Sequence, residues 1–141
     1  MGQRYDITAY KDDTYVLTID YTDSLGSPIA LDSTTNKTWF TVRPQNDNTS
    51  TPTVSVNVST TSAPTGGTLN TSTFYFPAGY TNRTILYLAQ YDFDTDNGSA
   101  LFRTLNVNQA YYYDIVVTRS GSFKSRVLSG YFTINTGITN P

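Results

Sequence analysis

The sequence predicts an all-β chain folded as an antiparallel sandwich, and three observations lead there. The first is composition. All eleven acidic residues are Asp, while Thr, Ser and Asn supply 49 of the 141 residues and Tyr another 12. The strong helix formers Glu, Ala, Leu and Lys are absent or sparse, whereas Thr, Val, Tyr and Phe suit a pleated, half-buried surface and Asn, Asp, Ser and Gly suit turns. The second is the recurrence of alternating apolar and polar residues between turn clusters, at spacings suited to a sandwich or barrel. The third is the lack of any useful length of helical periodicity. At 15.6 kDa the chain fits one domain, residues 1–141. A folded chain of that size removes roughly 68–70% of its unfolded surface from water, enough for an ordinary core.

Tyr15 to Tyr21 places Tyr15, Leu17, Ile19 and Tyr21 on one face and Val16, Thr18 and Asp20 on the other. Asp23 to Pro28 reads as a turn, because Gly26 permits positive φ and Pro28 cannot continue a paired strand. Thr38 to Arg43 is apolar on both faces near its centre and stops at Pro44, which marks an interior strand with Trp39 as a core anchor. Gln45 to Pro52 is a polar loop. Thr53 to Val58 follows with Val54, Val56 and Val58 inward. Ser59 to Thr73 is the longest stretch of low hydrophobicity and reads as a long loop of the kind that binds or moves. Phe74-Tyr75-Phe76 is a short aromatic edge strand, and Ile85 to Ala89 a strand buried on both sides. Tyr91 to Gly98 is rich in turn residues, with a short strand expected at Ala100 to Leu105. Tyr111 to Thr118 is the clearest strand; Arg119 to Ser122 turns it, and Lys124 to Ile134 returns antiparallel. The tail from Asn135 ends the fold.

The chain contains no Cys and no His. Disulfides, cysteine zinc sites and thiol catalysis are therefore excluded, as are the Ser-His-Asp triad and imidazole ligands. Gly66-Gly67 lacks the downstream Lys of a phosphate-cradling loop. A net charge of −2 is too near neutral for a nucleic-acid footprint. No apolar run approaches membrane-spanning length, and Met1 to Tyr10 lacks the apolar stretch of a signal peptide. No catalytic, cofactor-binding or metal site is accordingly expected.

Three features invite a site. Asp92, Asp94 and Asp96 alternate along one side of an extended segment and could ligate calcium, but Arg103 stands where an EF-hand loop needs its bidentate Glu. An exposed turn without an ion is the expectation. Asn36, Asn48, Asn57, Asn70, Asn82 and Asn97 open Asn-x-Ser/Thr triplets, which this composition produces by chance. The Tyr excess suits either a sugar-stacking platform or an interface. Tyr111, Tyr112 and Tyr113 are consecutive and must alternate between faces, which favours core plus interface.

Tyr112-Tyr113-Asp114-Ile115-x-Val117, then Gly121, Leu128, Gly130, Phe132, Ile134, Ile138 and Thr139, forms a recognisable pattern. With Asp12 to Asp20, the turn Asp23-x-x-Gly26-x-Pro28-x-x-Leu31 and the strand Trp39 to Arg43, it resembles the small β-sandwich domains that open many tailed-bacteriophage baseplate and tail-fibre proteins. The resemblance implies a scaffold that docks on other virion proteins, in which Asp23 and Gly26 shape a turn and Leu31 caps one end of the core. Gly130 inside a strand signals a bulge or a close backbone approach, and Asp114 is placed to accept hydrogen bonds from a neighbouring loop. Here the chain stops two residues after Thr139, so an adaptor, neck, baseplate or capsid-decoration subunit is expected in place of a fibre anchor.

The expectation is therefore an Ig-like antiparallel β-sandwich of about seven to nine strands. It is expected to be a non-enzymatic virion component, assembled in the host bacterial cytoplasm, that needs no cofactor. Its expected partners are other virion structural proteins and copies of itself, with neither nucleic acid nor membrane. Phe74-Tyr75-Phe76 and the loops 45–52 and 59–73 are the expected contact segments. A carbohydrate-binding module is the alternative, discriminated by whether Trp39 is buried or available; a hydrolase built on a pair of Asp carboxylates is the third reading.

Overall fold

Residues Ala110–Arg119 form a ten-residue strand. Tyr111, Tyr113, Ile115 and Val117 are buried on one side of it, while Tyr112, Asp114 and Val116 are half-buried on the other. In the computed structural model, which describes residues 3–10, 13–64, 72–89, 109–121 and 123–135, this strand is the ninth of ten. In chain order they are β1 (Gln3–Arg4), β2 (Ile7–Tyr10), β3 (Tyr15–Asp20), β4 (Thr38–Arg43), β5 (Val54–Val56), β6 (Ser59–Thr60), β7 (Thr73–Tyr75), β8 (Arg83–Leu88), β9 and β10 (Phe123–Asn135). The described residues contain no helix. The first sheet runs β1-β10-β9-β4-β5, with β2 also pairing β10, and the second runs β3-β8-β7-β6.

Inward residues of both sheets share one core. Ile7, Phe40, Val42, Val54, Ile115, Val117 and Phe132 come from the first sheet, Ile19, Phe74, Leu86 and Leu88 from the second. The Phe40 ring lies 5.7 Å from both Tyr113 and Phe132, tilted against one and edge-on to the other, the geometry aromatic quadrupoles favour. Leu31 closes one end: it is buried, bridges Arg119 and donates its N–H to Thr81 at 2.8 Å.

The sandwich and the polarity of β3 agree with expectation, and so does the 23–28 turn. There the Asp23 carboxylate accepts the amides of Leu25 and Ser27, each at 2.9 Å, and Gly26 has φ +83°. The turn after Arg119 is made at Gly121, with φ +97°. The run Ile85 to Leu88 lies in β8 between β3 and β7, with Leu86 and Leu88 buried inward, Tyr87 buried on the opposite side and Ala89 buried just past the strand's end.

Several expectations are corrected. Trp39 is not a core anchor. It is half-buried on the outer face with Thr41 and Arg43, while Thr38, Phe40 and Val42 point inward. Phe74-Tyr75-Phe76 is not an edge, because β6 pairs with β7 on the side away from β8, and Phe74 and Phe76 are buried. Val58 is exposed, since the chain leaves the first sheet after Val56 and enters the second at Ser59. The segment 59–73 thus begins and ends in strand; residues 65–71 lie outside the described residues, as does the strand expected at 100–105. Among the described residues there are ten strands, against the expected seven to nine, because the N-terminal segment and the two-residue β6 also pair. The sheets are not wholly antiparallel: β1 and β2 pair parallel to β10, and β6 to β7.

The N-terminal addition explains Gly130. Tyr5 donates its amide to Ser129 at 2.8 Å, and the Asp6 carboxylate accepts the Tyr131 amide at 2.9 Å. The Tyr113 hydroxyl donates to the Tyr5 carbonyl. A Cβ at position 130 would sit 2.6 Å from both the Tyr5 carbonyl and the Asp6 carboxylate. The signal is close approach; the β-bulge itself falls between Arg126 and Leu128. Burial, with the Tyr5 hydroxyl beside it, raises the Tyr15 phenol to about 12, and burial raises Tyr113 as well.

Gly130→Ala should cost about 1–3 kcal/mol by forcing the N-terminal strand away, read as a lowered urea midpoint; an unchanged midpoint would place that strand elsewhere. Tyr15 holds its proton more tightly folded than unfolded. Its stabilising contribution is therefore complete below about pH 10, the unfolded value, and is lost as pH rises through about 12. A native titration of tyrosinate absorbance should show a late component that disappears in urea, and superimposable curves would contradict it.

Candidate functional site

Alternation on β4, β9 and β10 leaves an outer face whose composition differs from the core beneath it. Register aligns Arg43 with Tyr112 and Tyr112 with Tyr131 in one cross-strand row, and Trp39 with Val116 and Arg126 in another. The Tyr112 and Tyr131 rings lie 5.3 Å apart, and the Arg4 guanidinium sits 4.8 Å over Tyr131. Asp114 accepts from the Nε of Arg126 at 2.7 Å, so its partner is a strand side chain and not the expected loop. The Lys124 ammonium stands 5.3 Å from the centre of the Trp39 ring, within cation–π range.

The polar segment after β4 walls one side of this face. Asp47 accepts the amides of Thr49 at 3.3 Å and Ser50 at 2.9 Å, a side-chain turn of the kind Asp favours, and Arg43 donates to the Ser50 carbonyl. Hydrogen bonding from Ser50, then Thr49 and the nearby Arg43 charge, holds the Asp47 carboxyl below the usual range. Wall and sheet enclose a groove of about 320 Å³. It is lined by the Trp39 indole, Tyr112, three cations and two carboxylates among others, a set suited to stacking and hydrogen bonding. Asp47, with its pKa lowered, is the reverse of a catalytic general acid, which needs a raised one.

A second groove, about 580 Å³, lies where the margins of the two sheets meet. Ile19, Tyr21, Ile29, Val127 and Leu128 line it, and the Tyr21 hydroxyl bonds Ser125 across it at 2.8 Å. Beside it β3 pairs only with β8, and Phe123–Val127 of β10 only with β9, among the described residues.

The expected contact segments divide. Loop 45–52 forms the wall, whereas Phe74 and Phe76 belong to the core. Tyr111 and Tyr113 are buried and Tyr112 lines the outer groove. Asn82 spends its carboxamide on the Tyr21 carbonyl at 3.1 Å. Asp92, Asp94 and Asp96, like Asn70 and Asn97, lie outside the described residues. The outer groove was missed in the sequence, yet a signal existed: Trp39 shares strand parity with Arg43, a charge that must face water.

No family model matches the chain, and no curated protein matches it. It is similar to a solved structure from photo-crosslinking work on multimeric cell-adhesive interactions of VGSC beta subunits. That likeness has 12% identity, covers 96% of this chain and 95% of the other, and has a TM-score of 0.43; at that overlap it carries no functional argument.

Removing the two aromatic neighbours of β4 should separate the faces. Phe40→Ala should cost about 3–5 kcal/mol and Trp39→Ala about 1 kcal/mol, measured by urea unfolding; equal losses would return Trp39 to the core.

Proposed function

We propose that this chain is a non-enzymatic association subunit of a tailed-phage particle, gripping its neighbours through the open margin of the sandwich. The resemblance of its strand and turn motifs to virion β-sandwich domains supports the setting. The observation that carries the mode of association is β3. It is six residues long and, among the described residues, has no strand on its outer side. An unpaired edge is a template for another chain, which proteins ordinarily blunt with Lys, Pro or a bulge. Tyr15–Asp20 has none of these: its one charge, Asp20, is held by Arg83 in a two-pronged pair at 2.6 and 3.0 Å.

An extended segment from a neighbouring subunit would add to β3 by main-chain hydrogen bonds, with the adjoining groove, where Ile19, Ile29 and Leu128 stand among polar residues, receiving alternate side chains. In a symmetric particle many such contacts act together, so each one can be modest.

Val16 is 53% exposed on this strand, and Val16→Lys supplies the missing edge charge. Stability should stay within about 0.5 kcal/mol, while the copy number in sedimented particles should fall. A well-folded variant incorporated at the wild-type level would overturn the edge assignment.

A further inference from the structure

We propose that the groove on the outer face of the first sheet binds an acidic saccharide, stacked on Trp39 with its carboxylate or sulfate met by Lys124 and Arg43. This is a second function on a different surface from β3, and it does not depend on the association reading.

Trp39 can stack a ligand because it is half-buried on the outer face and not in the core, with the Lys124 ammonium 5.3 Å from its ring centre. The Trp39 backbone pairs with Val116 of β9, and the next residue, Phe40, pairs with Val56 of β5, so the indole is presented by a sheet strand and not by a loop. A sugar ring combines an apolar C–H face with a rim of hydroxyls, and the groove matches both parts. Trp39 offers the flat apolar surface. Around it the Asp114–Arg126 pair at 2.7 Å fixes an acceptor beside a donor, and Asn46 and Asn48 stand on the wall. A volume of about 320 Å³ lies at the small end of ligand sites and suits a short stretch of a saccharide.

Charge selects the acidic members of that class. The chain carries −2 overall with nine cations, yet three of the nine, Arg43, Lys124 and Arg126, line this one groove. Both carboxylates there are committed: Asp114 to Arg126, and Asp47 to the Thr49 and Ser50 amides. Arg43 donates to the Ser50 carbonyl with the Asp47 carboxylate nearby, and Lys124 stands over the Trp39 ring, but neither forms an ion pair among the described residues. Two cations beside an aromatic plane are therefore left for an anion. The same facts disfavour a protein partner here, since charged residues are depleted from the centres of protein interfaces. They also disfavour a nucleic acid, whose phosphates demand a track of cations without interspersed carboxylates.

The chain has a single Trp beside twelve Tyr, so fluorescence excited selectively at the indole, on the long-wavelength side of tyrosine absorption, reports on Trp39. The intact protein would be titrated with cellohexaose, sulfated cellohexaose and hexagalacturonate. A saturable change with either acidic chain, and at least tenfold weaker binding of the neutral one, is expected. Lys124→Gln, at an exposed position, should weaken the acidic ligand about tenfold without moving the unfolding midpoint, and Trp39→Ala should abolish the calorimetric signal with the β circular-dichroism spectrum retained. Equal binding of the neutral chain would overturn the acidic assignment. No response to any of the three would overturn the saccharide site, and wild-type binding by both variants would overturn its location. If sulfated cellohexaose binds and hexagalacturonate does not, the anion is a sulfate; the reverse makes it a carboxylate.

Discussion

Register across β4, β9 and β10 is the constraint on which the rest of this molecule depends. Phe40 opposes Ile115, and Val42 opposes Tyr113, so every other residue of three adjacent strands is committed to the core. A slip of one residue would exchange the faces, burying Arg43 and Asp114 and exposing Phe40. The cost of burying those charges makes the observed pairing the stable one. The outer groove is then a by-product of core formation: Trp39, Tyr112, Asp114 and Arg126 are where they are because their sequence neighbours are inside.

The N-terminal segment adds a second layer of commitment. Ile7 and Ala9 are almost fully buried, although they belong to a strand that, among the described residues, pairs only with β10. Parallel pairing is natural for it, because it approaches from the far end of the chain with no hairpin to reverse its direction. Between β1 and β2 the backbone passes so close to Gly130 that the absent side chain becomes a structural requirement. Tyr113 then links this edge to the central strand through its hydroxyl, so a core residue also secures the margin.

These two commitments leave the molecule with surfaces of different character. The margin at β3 has no strand on its outer side among the described residues and borders a groove of mixed polarity. The outer face of the first sheet is aromatic and charged, with its carboxylates already engaged, suited to a small polar ligand.

The two-sheet class, the inward face of β3, the 23–28 turn and the return of β10 on β9 were legible in the residues alone. Each rests on local physics: alternation with period two, positive φ at Gly, and the side-chain turn of Asp23. What the residues alone did not decide was the sidedness of strands that are apolar on both faces. Trp39-Phe40 offers two aromatic neighbours, and only pairing with Ile115 selects Phe40 for the core. Phe74 and Phe76 looked like an exposed edge until the two-residue β6, too short to carry a pattern, covered them. The parallel strands at the N-terminus likewise have no local signature, because their partner lies more than a hundred residues away. Tertiary structure decided these points because burial is a property of what packs against a residue, and the chain does not state its neighbours.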